Sequence, residues 1–250
     1  MARYDLSDAE WRLIEPLLPN KPRGVARVDD RRVLNGIFYV LRTGTPWRDL
    51  PERYGPYTTV YNRFNRWAKA GVWLRIFEAF AARSPQSLHL IDSSIVRAHQ
   101  HAAGRKKGGE DHAIGRSRGG LSTKIHAIVG SHGLPFKLLL TAGQTHDQRA
   151  VEPLLAGLPP NAEVVGDRGY DSNAVISLID RAGARANIPT DSRRLIQRSV
   201  NRDLYRQRNL IERFFCKLKH FRRIATRFDK LARNFLAAVM LALTRLWFRA

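Results

Sequence analysis

Cysteine is almost absent from this chain: Cys216 stands alone among 250 residues. An internal disulfide and a zinc cage built of thiolates are thereby excluded, and such usage fits a reducing cytoplasm. Long apolar runs are missing as well. The most apolar stretch, Phe235 to Phe248, is interrupted by Arg245 and falls short of the roughly 20 residues a membrane span needs, so it reads as a buried helix. The opening Met-Ala-Arg-Tyr-Asp-Leu-Ser-Asp has no apolar segment of the kind that directs secretion, which speaks against export. Acid is the third scarcity. Only 22 Asp and Glu face 43 Lys and Arg, for a formal charge of +21 spread from Arg3 to Arg249.

A field of that size repels itself unless a polyanion lies on it, so nucleic acid is the leading partner, an anionic membrane surface the weaker one, and a merely basic soluble protein the bland alternative. With 44% apolar residues the chain can bury a real core, and its length suggests one or two domains.

The first 85 or so residues carry helical periodicity. Ser7 is placed to cap a helix bearing Trp11, Leu13, Ile14 and Leu17. A second helix runs from Asp29 or Asp30 to Leu41, stopped by Thr43-Gly44-Thr45-Pro46. A third, from about Thr58 to Ala70, bears Val60, Tyr61, Phe64 and Trp67 and carries on its other face Asn62, Arg63, Asn65, Arg66 and Lys69, residue types that reach phosphates and base edges. The pattern looks like a helix-turn-helix module; a plain helical bundle with a solvated basic face is the alternative.

From Ser87 the period changes. Ser87 to Asp92 and Leu121 to Val129 read as strands, and Phe136 to Thr141 returns from the turn Ser131-His132-Gly133-Leu134 as the second arm of a hairpin. Residues 147 to 157 and Ser172 to Ala182 read as helices, Glu163 to Gly166 and Ala186 to Ile188 as short strands. Helices from about Asp203 to Arg222 and Leu231 to Phe248 close the chain. The expected fold is α/β: a mixed sheet flanked by helices over 86–250, behind an all-helical DNA-binding domain at 1–85. The Gly-, Lys-, Arg- and His-rich segment 102–120, which carries Arg116 and Arg118, cannot supply core and reads as a mobile basic loop or a linker.

In so basic a chain, acids at the ends of apolar segments need an explanation. Asp92 follows Leu88, Leu90 and Ile91, at the expected C-terminal end of a buried strand; Asp167 repeats that arrangement after Val164 and Val165. At roughly 100° per residue, Tyr205, Arg208, Glu212 and Lys219 fall within about 60° on one helix face, beside an apolar flank of Leu204, Ile211, Phe214, Phe215 and Leu218. An i, i+4 pair of Arg208 with Glu212 would explain a lone acid. Three carboxylates brought together repel and call for a cation, and oxygen donors without thiolates suit magnesium or manganese, with two ions a fit for in-line displacement at phosphorus.

The spacing Tyr205, Arg208, Glu212, Lys219, the contexts Ile91-Asp92-Ser93-Ser94 and Gly166-Asp167-Arg168-Gly169-Tyr170-Asp171, and the segments Gly44 to Pro51, Gly115 to Gly120 and Gly143 to Asp147 together resemble bacterial insertion-sequence transposases of the insertion sequence five type. The resemblance implies a ribonuclease-H-like fold and a triad of Asp92, Asp167 and Glu212 as catalytic metal ligands for magnesium or manganese. It further implies that Tyr205, Arg208 and Lys219 support the site or touch DNA. The expected partners are double-stranded DNA, as element ends and target, and a second copy of the chain; a membrane or small-molecule substrate is not expected, and a cytoplasmic, nucleoid-associated location is. Arg168, Arg63, Arg66, Lys69, Arg116 and Arg118 are further candidate DNA contacts. A nuclease of the same fold and a non-catalytic DNA-binding repressor are the competing readings. His146 and Asp147 could back the site, though capping a helix is the simpler role for Asp147. His99 and His101 suggest a metal pair only weakly.

Overall fold

A computed structural model describes residues 4–19, 27–84, 86–103 and 112–248. The chain forms two compact units, a helical one of Met1–Phe80, His99–His112 and Leu218–Ala250, and a strand-bearing one of Ala81–Ala98 and Ala113–Lys217. This differs from the contiguous division at residue 85: the C-terminal helices join the N-terminal ones.

In the helical unit, α1 (Asp8–Ile14) begins with a reciprocal cap, in which the Glu10 N–H donates to Ser7 Oγ at 3.1 Å and the Ser7 N–H to Glu10 Oε2 at 2.8 Å. Asp29 caps α2 (Asp30–Thr43), whose Val33, Leu34, Ile37, Phe38 and Leu41 are buried, as their spacing requires. The helix ends at Gly44 with φ of 76°, where a Cβ would come within 2.9 Å of Arg222 Cβ. Handedness and space both demand glycine there. The link to α3 (Tyr57–Lys69) holds two 3-10 turns, Trp47–Asp49 and Glu52–Tyr54, and is far longer than the three or four residues of a helix-turn-helix corner. A corner of two residues, Ala70 and Gly71, instead joins α3 to α4 (Val72–Ala81), a helix the periodicity did not resolve. Trp73 on α4 is buried with its indole N–H on the Phe64 carbonyl at 3.2 Å.

The strand-bearing unit starts with β1 (Leu88–Ala98), which runs six residues beyond its expected end at Asp92. The reason lies in Ser93-Ser94-Ile95-Val96: β-branched residues continue the strand, and an antiparallel partner pairs with it as far as Arg97↔Ser122. Within the expected basic loop, Gly115–Ser117 forms a short strand, β2, against that same partner, β3 (Gly120–Val129); positions 104–111 of the loop lie outside the described residues. The hairpin returns as β4 (Pro135–Ala142), antiparallel to β3. A 3-10 turn, Asp147–Ala150, leads into α5 (Val151–Leu155), then β5 (Glu163–Val165), α6 (Asn173–Arg181) and β6 (Arg185–Asn187). The sheet order is β2-β3-β1-β5-β6 with β4 beside β3, and β5 pairs in parallel with both β1 and β6. The expected mixed sheet is present. β3, paired by β1 and β4, is buried on both faces from Ser122 to Val129, which explains its lack of alternation.

The single helix expected over 203–222 is broken: α7 (Arg202–Arg206) and α8 (Asn209–Lys219) are separated by a turn at Gln207 and Arg208. α9 (Arg222–Ala225) and α10 (Ala232–Trp247) complete the helical unit. α10 packs on α2 and α3 and is buried continuously from Ala237 to Arg245. Arg245 sits over the Phe38 ring, 4.9 Å from its centroid, and pairs with Glu10 at 3.5 Å, so its charge is answered inside the helical core. Among the described residues no helix is long and apolar enough to cross a membrane.

Candidate active site

Parallel pairing of β1 with β5 ends at Leu90↔Val165. Two residues further along each strand direction stand Asp92 and Asp167, so matched register delivers the carboxylates from neighbouring strands. Asp92 lies within β1, not at its end as expected, just past the last residue that β5 covers. Its Oδ1 accepts the Ser93 N–H at 2.7 Å. Burial pushes the Asp92 carboxyl above the ordinary value of 3.8, and the charge of Asp167 adds to the rise, against the Ser93 N–H and Arg208. Asp167 caps the 3-10 turn Arg168–Tyr170 by accepting the Gly169 N–H at 2.8 Å. Gly166 lets the turn fold back tightly, since a Cβ there would stand 3.2 Å from the Tyr170 ring. The Tyr170 hydroxyl is buried beside Ser93; burial first, then the charges of Asp147, Asp92 and Asp167, raise its pKa and keep it protonated.

Arg208, in the turn before α8, joins the third acid to the first. One guanidinium nitrogen lies 3.2 Å from Asp92 Oδ2 and another 2.9 Å from Glu212 Oε1. Burial opposes the Arg208 charge, yet Asp92 and Glu212 hold its pKa above the ordinary value. The i, i+4 pair allowed by helix geometry is thus present, and its arginine also reaches Asp92. Tyr205 belongs to α7 rather than to the helix of Glu212, so the shared stripe is divided by the turn. Lys219, the last residue of α8, falls in the helical unit.

Oxygen donors fit a hard cation, and the adjacent Asp92 and Asp167 supply the like-charge strain that such an ion relieves. Glu212 reaches this pair through Arg208. In the present side-chain arrangement, no group of three or more His, Cys, Asp or Glu among the described residues is placed to hold an ion.

Behind Asp92 lies a second network. The Ser93 hydroxyl donates to Asp147 Oδ1 at 2.8 Å, Lys124 Nζ lies 2.9 Å from the same oxygen, and Lys124 also donates to the Thr145 carbonyl at 2.7 Å. His126, fully buried, has Nδ1 3.8 Å from Asp147 and Nε2 2.8 Å from Thr141 Oγ1. Asp147 does not cap its turn. His146 does, with Nδ1 accepting the Gln148 N–H at 3.4 Å, so Asp147 is freed to back the site. Lys124 and Ser93 carried no sequence signal of this role.

The basic candidates separate. Arg63 is buried, pairs with Asp30 and lies 5.2 Å from the Trp67 ring centroid, so the structure removes it from the outward face. Its position three residues after Val60 and four before Trp67 puts it on the apolar side of α3. Arg66 and Lys69 are exposed, and Arg66 lines a groove of about 420 Å³ with Thr58, Thr59, Asn62 and Asn65. Arg116 and Arg118 are exposed and, with Arg97 and Gln144, line a second groove of about 540 Å³ in the strand-bearing unit. Arg168 is exposed in the turn after Asp167. His99 accepts the His101 N–H through Nδ1 at 3.2 Å and stacks on Phe228, which gives it a local structural role. Cys216 is exposed.

Comparison with known proteins finds two family profiles on this chain: "Putative transposase of IS4/5 family" over residues 6–77 and "Transposase DDE domain" over residues 83–247. The "Putative transposase for insertion sequence element IS6501" of Brucella ovis is 35% identical over 130 residues, covering 52% of this chain and 100% of its own. An "Insertion element IS402 uncharacterized 16.2 kDa protein" of Burkholderia cepacia is 40% identical over 122 residues, 43% of this chain and 82% of its own. "Uncharacterized protein y4sN" of Sinorhizobium fredii is 41% identical over 108 residues, 42% of this chain and 86% of its own. No solved structure matches. Since the second profile spans well over half of the residues, the chain belongs to the transposase DDE domain family, whose members are polynucleotidyl transferases.

Proposed function

We propose that this enzyme binds the terminal inverted repeats of an insertion sequence, cuts the DNA at the element ends and joins the exposed hydroxyl to target DNA. The observation that carries this reading is the placement of Asp92 and Asp167 side by side at the end of a shared parallel register, with Arg208 and Glu212 against them. Strand order supports a ribonuclease-H-like catalytic fold: a three-stranded antiparallel meander extended by two parallel strands that follow helices.

Asp92, Asp167 and Glu212 would hold divalent magnesium or manganese, one or two ions. Such ions supply activation of a water or sugar hydroxyl and stabilisation of the leaving oxygen. At phosphorus a new P–O bond forms in line with the one that breaks, and the attacking oxygen gives up its proton. The role of the chain is placement. Half-buried Asp92 and its neighbour Asp167 fix the charge. Arg208 neutralises the acids until DNA and metal arrive. Arg168, in the turn after Asp167, and Tyr205, on α7, would contact a scissile phosphate, Lys219 stands at the end of α8, and exposed Arg66, Lys69, Arg116 and Arg118 would meet the DNA backbone. Two ends must be joined, so the working form is a dimer on DNA within the bacterial cytoplasm.

The test is cleavage of DNA bearing the element end by purified protein and magnesium. Asp92→Asn and Asp167→Asn are each expected to lower cleavage by at least about 10³-fold, on the scale of losing a charge-stabilising group, with DNA binding kept. Equal cleavage by both variants and the wild type would refute the assignment. Products of hydrolysis without any strand joining would identify a nuclease instead.

A further inference from the structure

The network behind Asp92 does something the acid triad alone does not explain. Successive side chains of a strand point to opposite faces. Asp92 and Ser93 therefore leave β1 on different sides while sharing one peptide. That peptide is held twice: its N–H fixes Asp92 Oδ1 at 2.7 Å, and Ser93 Oγ is fixed by Asp147 at 2.8 Å. Asp147 in turn is held by Lys124, buried on β3 and tied to the Thr145 carbonyl at 2.7 Å.

We propose that Asp147 and Lys124 are positioning residues for the transposase site, acting through Ser93 to set the direction of the Asp92 carboxylate. The inference rests on the metal reading given above. A partly buried ion pair is a poor source of stability, because an apolar pair of similar volume would serve as well. This one spends its remaining hydrogen-bonding capacity on Ser93, the residue next to Asp92. Lys124 does more than neutralise Asp147: it removes the freedom of that carboxylate to turn, so the Ser93 hydroxyl meets a fixed acceptor. His126, standing opposite Ser93 in the β1–β3 register, closes the pocket from the other side. Outer groups of this kind, when removed, commonly weaken metal binding about 10- to 100-fold.

The full-length chain is titrated with Mn2+ alone, free ion being followed by electron paramagnetic resonance, and melting temperature is recorded in parallel. Ser93→Ala leaves the Lys124–Asp147 pair intact and removes the link together with the hydroxyl beside Tyr170. It is expected to weaken Mn2+ binding about 10-fold with little change in melting temperature, and Ser93→Thr, which restores a hydroxyl, is expected to recover most of the loss. Asp147→Asn should weaken binding comparably; because it strands Lys124 and can impair folding, the Ser93 pair carries the decision. Wild-type affinity in Ser93→Ala, while Asp92→Asn loses the ion, would overturn the positioning role and leave the metal site standing. Undiminished binding by Asp92→Asn would overturn the metal site and the positioning role together.

Discussion

Single side chains in this protein are governed by what burial does to charge. His89, 3% exposed on β1, stands edge-on to Phe136; burial, and after it the charge of Lys137, lowers its pKa from 6.5 to about 4. His126 is lowered to about 4 as well, by burial, with Lys124 in the same direction and Asp147 opposing. Both are neutral in the folded chain. Above pH 6.5 neither folded nor unfolded chain holds the proton and the stability is fully present; as pH falls from 6.5 toward 4 the unfolded chain binds protons that the folded one refuses, and stability declines. At about 1.4 kcal/mol per pH unit, each histidine accounts for at most ~3.5 kcal/mol of that decline. Replacing His89 with Leu is expected to flatten the fall in melting temperature between pH 6.5 and 4 relative to wild type; an unchanged slope would show that His89 ionises freely. Asp147 marks the limit of sequence reading at this scale. Its partner Ser93 is 54 positions away, and no local spacing rule joins an acid after one hairpin to a hydroxyl on another strand.

Secondary-structure elements were legible where one local rule decides them. The Ser7 cap, the apolar stripe of α2 with its glycine stop, the β3–β4 hairpin and buried α10 all follow from spacing and turn chemistry. Where two local signals conflicted, or tertiary pairing decided, the reading fell short: β1 extends past its acid because β3 pairs with it, and the helix over 203–222 breaks at Gln207 and Arg208 although its periodicity continues. Neighbouring strands for Asp92 and Asp167 could be anticipated from two apolar runs ending in the same way; the Arg208 link to both Asp92 and Glu212 needed coordinates. α3 shows how one helix divides its cations. Arg63→Ala removes a buried guanidinium from half-buried Asp30, which keeps Arg27, and is expected to cost about 1.5 to 3 kcal/mol in denaturant unfolding, whereas Arg66→Ala on the exposed face should stay within about 0.5 kcal/mol of wild type. In DNA binding the order should reverse, with folded Arg66→Ala showing the weaker affinity and the shallower salt dependence. Comparable unfolding free energies for the two variants would contradict the buried pairing.

Across the whole molecule, the charge of +21 sets the energetics of any encounter with DNA. If the proposed function holds and six to ten phosphates are contacted, affinity should fall by about 10³- to 10⁵-fold between 50 and 200 mM salt; fluorescence anisotropy with a labelled element end measures it, and a flat dependence would exclude counterion release as the source of binding. The helical unit adds a constraint of a different kind. Its opening segments and α10 belong to one compact unit, yet the strand-bearing unit separates them in sequence. Phe38 on α2 therefore meets Arg245 of α10 across a long stretch of sequence that holds the strand-bearing unit. A variant lacking Ala232 to Trp247 would leave the faces of α2 and α3 that α10 covers open to water, so the opening helices owe part of their burial to a segment about 200 residues downstream.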